Sequence, residues 1–136
     1  YEEGLAEYGI TPIAAQSGNN VSDTAKAAME DLLTRFNNEI DAVLCHNDDT
    51  AIGALSACQD AGVADDITII GFDGNQSAVE LVNSGDLAAT IAQQPEEMGY
   101  TAVMNAYKAI NGEEVEESIP IETVFITQEN AAEYLK

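Results

Sequence analysis

Basic residues are scarce in this chain. Lysine and arginine number 4 against 25 aspartates and glutamates, a formal net charge of -21 over 136 residues. A nucleic-acid backbone is held by clustered Lys and Arg, and Lys26, Arg35, Lys108 and Lys136 lie far apart in sequence. Nucleic acid and anionic membrane surfaces are therefore disfavoured as direct partners. The acidic excess reads as a solvated, self-repelling surface, of the kind seen in proteins from salty environments. Cysteine is sparse too: Cys45 and Cys58 make no disulfide scaffold. With His46 as the single histidine, no Cys/His metal cluster can be assembled. No apolar run nears the roughly eighteen residues of a membrane helix. A Gly-x-Gly-x-x-Gly or P-loop is missing, which argues against nucleotides. A Gly-x-Ser-x-Gly elbow is missing as well, and His46 alone could serve as an imidazole base. The run Asn47-Asp48-Asp49 lacks the spacing of a calcium loop, and the positive end of a helix accounts for it better.

What the chain does have is apolar content, 46% of its residues. A chain of this length buries roughly two-thirds of its unfolded surface, so one folded domain is expected. Short β-branched runs alternate with amphipathic stretches. Residues 1–8 read as a helix stopped by Gly9, and Ile10–Gln16 as a strand. Asn20 is placed to cap a helix over 21–36, where Val21, Ala25, Ala28, Met29, Leu32, Leu33 and Phe36 recur at three- and four-residue steps. Ile40–Cys45 reads as a strand, 48–61 as a helix ended by Gly62, and Ile67–Phe72 as a strand covered on both faces. A helix at 76–84 stops at Gly85, and Leu87–Ala92 is the next strand. Pro95 opens a helix to Ile110, with Glu96 and Glu97 at its positive end. Ile119–Ile126 reads as a last strand and 129–135 as a short helix.

Strict alternation of this kind predicts an α/β fold: a doubly wound, mostly parallel sheet with helices on both faces. The chain opens inside a helix, whereas such domains open with a strand. At least one strand upstream of Tyr1 is therefore expected, which makes the fold incomplete at its N-terminus. Cys45 and Cys58 are not expected to bridge. The first stands at a strand top and the second far down the next helix, at heights differing by roughly 13–15 Å against a bridging limit of about 7 Å.

Ligands of open parallel sheets bind beyond the carboxyl ends of the strands. The residues there are Gln16 to Asn20, then His46-Asn47-Asp48-Asp49, then Asp73-Gly74-Asn75, then Gln93-Gln94. They are amides and carboxylates with hardly a cation. A carboxylate accepts from two hydroxyls, and an amide both donates and accepts. Asn47, Asp73 and Gln93 thus suit a neutral ligand rich in hydroxyls and do not suit a phosphate. The alternative is that Asn47 and Asn75 are helix N-caps and nothing more.

Three segments carry a resemblance. Ile40-Asp41-Ala42-Val43-Leu44-Cys45-His46-Asn47-Asp48 with Ala51-Ile52-Gly53-Ala54-Leu55 is the first, and Ile70-Gly71-Phe72-Asp73-Gly74 the second. The third is Gly85-Asp86-Leu87-Ala88-Ala89-Thr90-Ile91-Ala92-Gln93-Gln94-Pro95 with Met98-Gly99. In order and spacing they resemble the C-terminal half of type I periplasmic sugar-binding proteins, the ribose- and galactose-type receptors of ABC importers. The resemblance implies a periplasmic-binding-protein lobe of flavodoxin-like architecture and no enzymatic activity. It implies sugar contacts from Asn47, Asp73 and Gln93. In the loop where the family often offers an aromatic to the sugar, this chain has Asn20, so ring stacking is expected from the other lobe.

The same resemblance assigns 1–93 to a C-terminal lobe, 94–122 to a segment packing on an N-terminal lobe, and 123–136 to a return crossing and terminal helix. The implied partners are a small neutral sugar, the N-terminal lobe or a swapped copy, and a membrane permease. The implied location is extracytoplasmic, periplasmic or lipid-anchored. No metal or cofactor is implied. One rival is the ligand-sensing core of a sugar-responsive transcription repressor, which would need a helix-turn-helix upstream. Another is a flavodoxin-like enzyme, which lacks its phosphate loop here.

Overall fold

The computed structural model describes residues 1–135. Helix α1 spans Glu2–Glu7 and α2 spans Ser22–Arg35, followed by strand β1 at Ala42–Leu44 and helix α3 at Asp48–Ala61. Strand β2 (Thr68–Asp73), helix α4 (Gln76–Ser84), strand β3 (Ala89–Ala92), helix α5 (Pro95–Ile110) and strand β4 (Val124–Thr127) complete the order. Single 3₁₀ turns lie at Ala64–Asp66 and Ala131–Glu133.

The four strands form one sheet in the order β1-β2-β3-β4. The β1/β2 and β2/β3 pairs are parallel, with Val43 beside Ile69 and Phe72 beside Ile91. The last pair is antiparallel, with Ile91 opposite Phe125. This is the expected α/β architecture, a parallel-dominated sheet flanked by helices. Helix α2 packs on α3, α3 on β2 and α4, and α4 on β3 and β4.

The core lies between that helical layer and the sheet. Ala25, Met29 and Leu33, at four-residue steps, bury one face of α2. They meet α3 at very short range, because a Cβ on Gly53 would collide with the Ser22 carbonyl oxygen. Ile69, Val79, Val82, Leu87 and Ile126 fill the centre. Burying side chains of this size contributes about 1.5–3 kcal/mol each.

Helix ends follow local chemistry. Asn47 caps α3, and Gly62 and Gly85 close α3 and α4 in the left-handed region at φ 71° and 91°. Four expectations need correction. Ile10–Gln16 forms no strand, bends at Ile13 and belongs to no ladder. Both this segment and β1 line a cavity of about 330 Å³, with Ile10, Ile13, Ala15, Ile40 and Val43 among its walls, and β1 stands at the sheet edge paired with β2. Asn20 does not cap α2. The N-cap position is Val21, without a side-chain cap bond, and Asn20 instead sits in the left-handed region at φ 57°. The last strand is Val124–Thr127, shorter than Ile119–Ile126, because ladder pairing to β3 begins only at Val124. The terminal helix is a single 3₁₀ turn.

Helix α5 has no buried residue. Tyr100, Val103, Tyr107 and Ile110 on it are each more than 60% exposed. The sheet face away from α3 is also thinly covered: Ile70, Phe72 and Ile91 are half-buried and Phe125 is exposed.

Candidate functional site

The carboxyl ends of β1, β2 and β3 open on one rim. Asp73 ends β2 with φ at 121°, a backbone region that favours glycine. Gln93 follows β3, and its backbone N–H donates to the Asp73 carbonyl at 3.2 Å. The Gln93 side-chain amide then donates to Asp73 Oδ1 at 2.6 Å. This leaves Asp73 Oδ2 and the Gln93 amide oxygen as acceptors at the open rim. Asn47, the residue before α3, accepts at its side-chain oxygen from the Thr50 N–H at 2.9 Å. The cap uses the carbonyl oxygen and leaves the amino group, with its two protons, for another partner. Capping and ligand contact are therefore compatible roles for one side chain. Asn75 occupies the N-cap position of α4 but makes no side-chain cap bond.

A residue not singled out from sequence holds the rim together. Asp48 is completely buried. Its Oδ1 accepts from the Thr90 hydroxyl at 2.7 Å and its Oδ2 from the Asn75 N–H at 2.7 Å. Thr90, also completely buried, accepts in turn from the Gly74 N–H at 3.3 Å. Burial pushes the Asp48 carboxyl above its ordinary value, the Thr90 and Asn75 hydrogen bonds pull it back, and the Asp73 carboxylate pushes it up again. The sequence signal was there, since Asp48 opens a helix, but so does Asp49, which is exposed.

Asn20 is not brought into contact with Asp73 or Gln93. It lines a cavity of about 650 Å³ with Gln16, Asn19, His46 and Thr50 over an apolar floor that includes Met29 and Cys45. Neither this cavity nor the smaller one beside β1 is lined by Asp73 or Gln93. His46 is exposed, and the Tyr1 ring meets it edge-to-face at 5.4 Å while the Tyr1 hydroxyl donates to the Cys45 carbonyl at 3.0 Å. Cys45 and Cys58 are buried free thiols, as expected. Burial pushes Cys45 up to about 11, so it is a poor nucleophile at neutral pH.

Among the described residues no group of three His, Cys, Asp or Glu side chains could hold a metal ion. No described helix is long and apolar enough to cross a membrane.

Residues 1–114 match the family described as periplasmic binding protein domain. The ribose import binding protein RbsB of Escherichia coli is 33% identical over 129 residues, covering 95% of this chain and 43% of that protein. The xylitol-binding protein of Mycolicibacterium smegmatis is 34% identical over 93 residues, 68% of this chain and 26% of that one. An ABC transporter periplasmic solute binding protein of Actinobacillus succinogenes, solved with D-allose, superposes with a TM-score of 0.88 at 32% identity, over 97% of this chain and 47% of that one. The myo-inositol binding protein of Caulobacter superposes at 0.85 and 32%, over 96% and 46%. The chain thus spans less than half the length of these relatives.

Proposed function

We propose, from the premise that this chain belongs to the periplasmic binding protein domain family, that it supplies one side of a sugar site in an extracytoplasmic solute-binding protein of an ABC importer. The ligand is a small neutral sugar, a pentose or hexose. Asp73 accepts from two hydroxyls, Gln93 accepts or donates beside it, and Asn47 donates from its free amino group. Asn20 contributes at the margin, across the larger cavity. The observation that carries this reading is the 2.6 Å Gln93–Asp73 bond on an open rim. It presents paired acceptors with no cation to draw a phosphate. The names of the relatives, with ribose, xylitol, allose and myo-inositol among their ligands, point to the same class of neutral polyols.

Residues 1–93 act as a C-terminal lobe, 94–122 pack on an N-terminal lobe or a swapped copy of it, and 123–136 form the return crossing. The exposed apolar residues of α5 support this, since a patch of that kind marks a surface covered by another element. Binding works by closure of two lobes about a hinge. Closure buries the sugar and presents a composite surface to a membrane permease.

Calorimetric titration of the full gene product against neutral monosaccharides and polyols tests the reading, with Asp73→Ala as control. Micromolar or tighter binding, lost in the control, is the expected result. Failure to bind any member of the panel would overturn it. Light scattering of residues 1–136 alone tests the lobe assignment. Self-association is expected, and a clean monomer would count against a covered α5.

A further inference from the structure

We infer that Asp48 is a positioning residue of this site: through Thr90 and the turn at 74–75, its buried carboxylate fixes where the Asp73 carboxylate stands. This rests on the reading of Asp73 as a sugar contact given above. Asp48 belongs to the first turn of α3, directly after Asn47. Its two oxygens reach different segments. Oδ1 takes the hydroxyl of Thr90 on β3, three residues before Gln93, and Oδ2 takes the N–H of Asn75, two residues after Asp73. One carboxylate therefore links the three segments that carry Asn47, Asp73 and Gln93. The Thr90 hydroxyl acts in both directions, giving to Asp48 and receiving from Gly74.

Ladder pairing of β2 with β3 runs only to Asp73 beside Ala92. Beyond that point the backbone turns through two positive φ values, 121° at Asp73 and 77° at Gly74. A non-glycine residue in such a conformation persists when its surroundings over-determine it, and the Asp48–Thr90 hub supplies that constraint. A buried anion with no cation beside it is a costly way to fill space. The site also reserves room for it, because a Cβ on Gly71 would collide with Asp48 Oδ1. An apolar residue would fill the same volume without ordering the turn.

The test uses the full gene product with Thr90→Val, which is nearly isosteric and loses the hydroxyl, and Thr90→Ser, which keeps it. Asn75→Pro is the independent variant. It removes the second donor at a position whose φ of -62° suits proline. Affinity is read by calorimetry with D-ribose, D-allose and myo-inositol, folding by circular dichroism, and the turn by amide resonances of residues 73–75 without ligand. Thr90→Val and Asn75→Pro should each weaken binding about tenfold or more, a loss of about 1.4 kcal/mol, and move the resonances flanking the substituted contact. Thr90→Ser should restore both. Folded variants with unchanged affinity and unchanged resonances would overturn the inference, as would weakened binding that Thr90→Ser fails to restore. If the unsubstituted protein binds none of the three probes, the sugar reading fails separately. The ligand-free resonances then decide the positioning role, with unmoved signals at 73–75 overturning it.

Discussion

The Gln93 side-chain amide and the Asp73 carboxylate meet at 2.6 Å across the ends of two parallel strands, twenty residues apart in sequence. The bond orients both groups before any ligand arrives. It uses one carboxylate oxygen and leaves the other to accept from a further partner. Pre-orientation of this kind lowers the ordering cost of binding.

In the proposed site, the strained backbone at Asp73 separates ligand contact from stability. Glycine at this position would relax φ 121° but remove the carboxylate. Strain of this type costs about 1–3 kcal/mol, and the added chain entropy of glycine offsets about 0.5–1 kcal/mol of the gain. Asp73→Gly is therefore expected to abolish sugar binding while its melting temperature stays level or rises. A large fall in melting temperature would show that the side chain, and not the turn, carries the fold there.

Two glycine-to-alanine changes should act in opposite directions. At Gly71 the new Cβ would strike Asp48 Oδ1, and overpacking of a close-packed site costs about 1–3 kcal/mol. At Gly4, inside α1, nothing lies within 4 Å, and alanine gains about 0.5–1 kcal/mol of helix propensity. Calorimetric melting of the two variants should bracket the parent, at about 3–5 °C per kcal/mol for a chain of this length.

Acid titration should expose Asp48. Its folded carboxyl lies above the ordinary value of 3.8, raised chiefly by burial, so the folded state holds that proton more tightly than the unfolded chain. Stability linked to it is full below the unfolded value and is lost as pH rises through the folded one. Urea midpoints should accordingly fall as pH is raised from about 4 toward neutrality. The difference between the parent and Asp48→Asn isolates this group. The variant is expected to be less stable overall and to show a flatter slope, because its single amide oxygen can accept from only one of the two donors, Asn75 N–H or the Thr90 hydroxyl. An equal slope would remove the assignment.

The net charge of -21 predicts a salt response. Among the described residues one ion pair is present, Lys26–Asp60 at 2.5 Å, and it is solvent-exposed. Unpaired like charges dominate, and screening contracts from about 10 Å at 0.1 M to about 3 Å at 1 M salt. Melting temperature should climb steadily over that range with sodium chloride. A flat or falling profile would mean that the acidic surface is not self-repelling in the folded state.

Sequence alone fixed the features whose causes are local. Helices α3, α4 and α5 begin and end where expected, because Gly62, Gly85 and Pro95 act within a turn of themselves. The candidate contacts Asn47, Asp73 and Gln93 were legible because each stands within two residues of the end of an apolar run, and parallel strands deliver such positions to one rim. Tertiary structure decided the rest. Residues 10–16 have the composition of a strand, but a ladder needs a paired neighbour, and among the described residues β1 pairs with β2 alone. Asn20 has the chemistry of a cap, yet helix α2 starts one residue later, so Val21 takes the cap position and Asn20 sits in the left-handed turn before it. Nothing local separates Asp48 from Asp49. Only the arrival of Asn75 and Thr90, 27 and 42 residues away, makes the first a buried hub and leaves the second in water. A cap is a contact within one turn and can be read along the chain, whereas a buried carboxylate is defined by donors that folding alone brings to it.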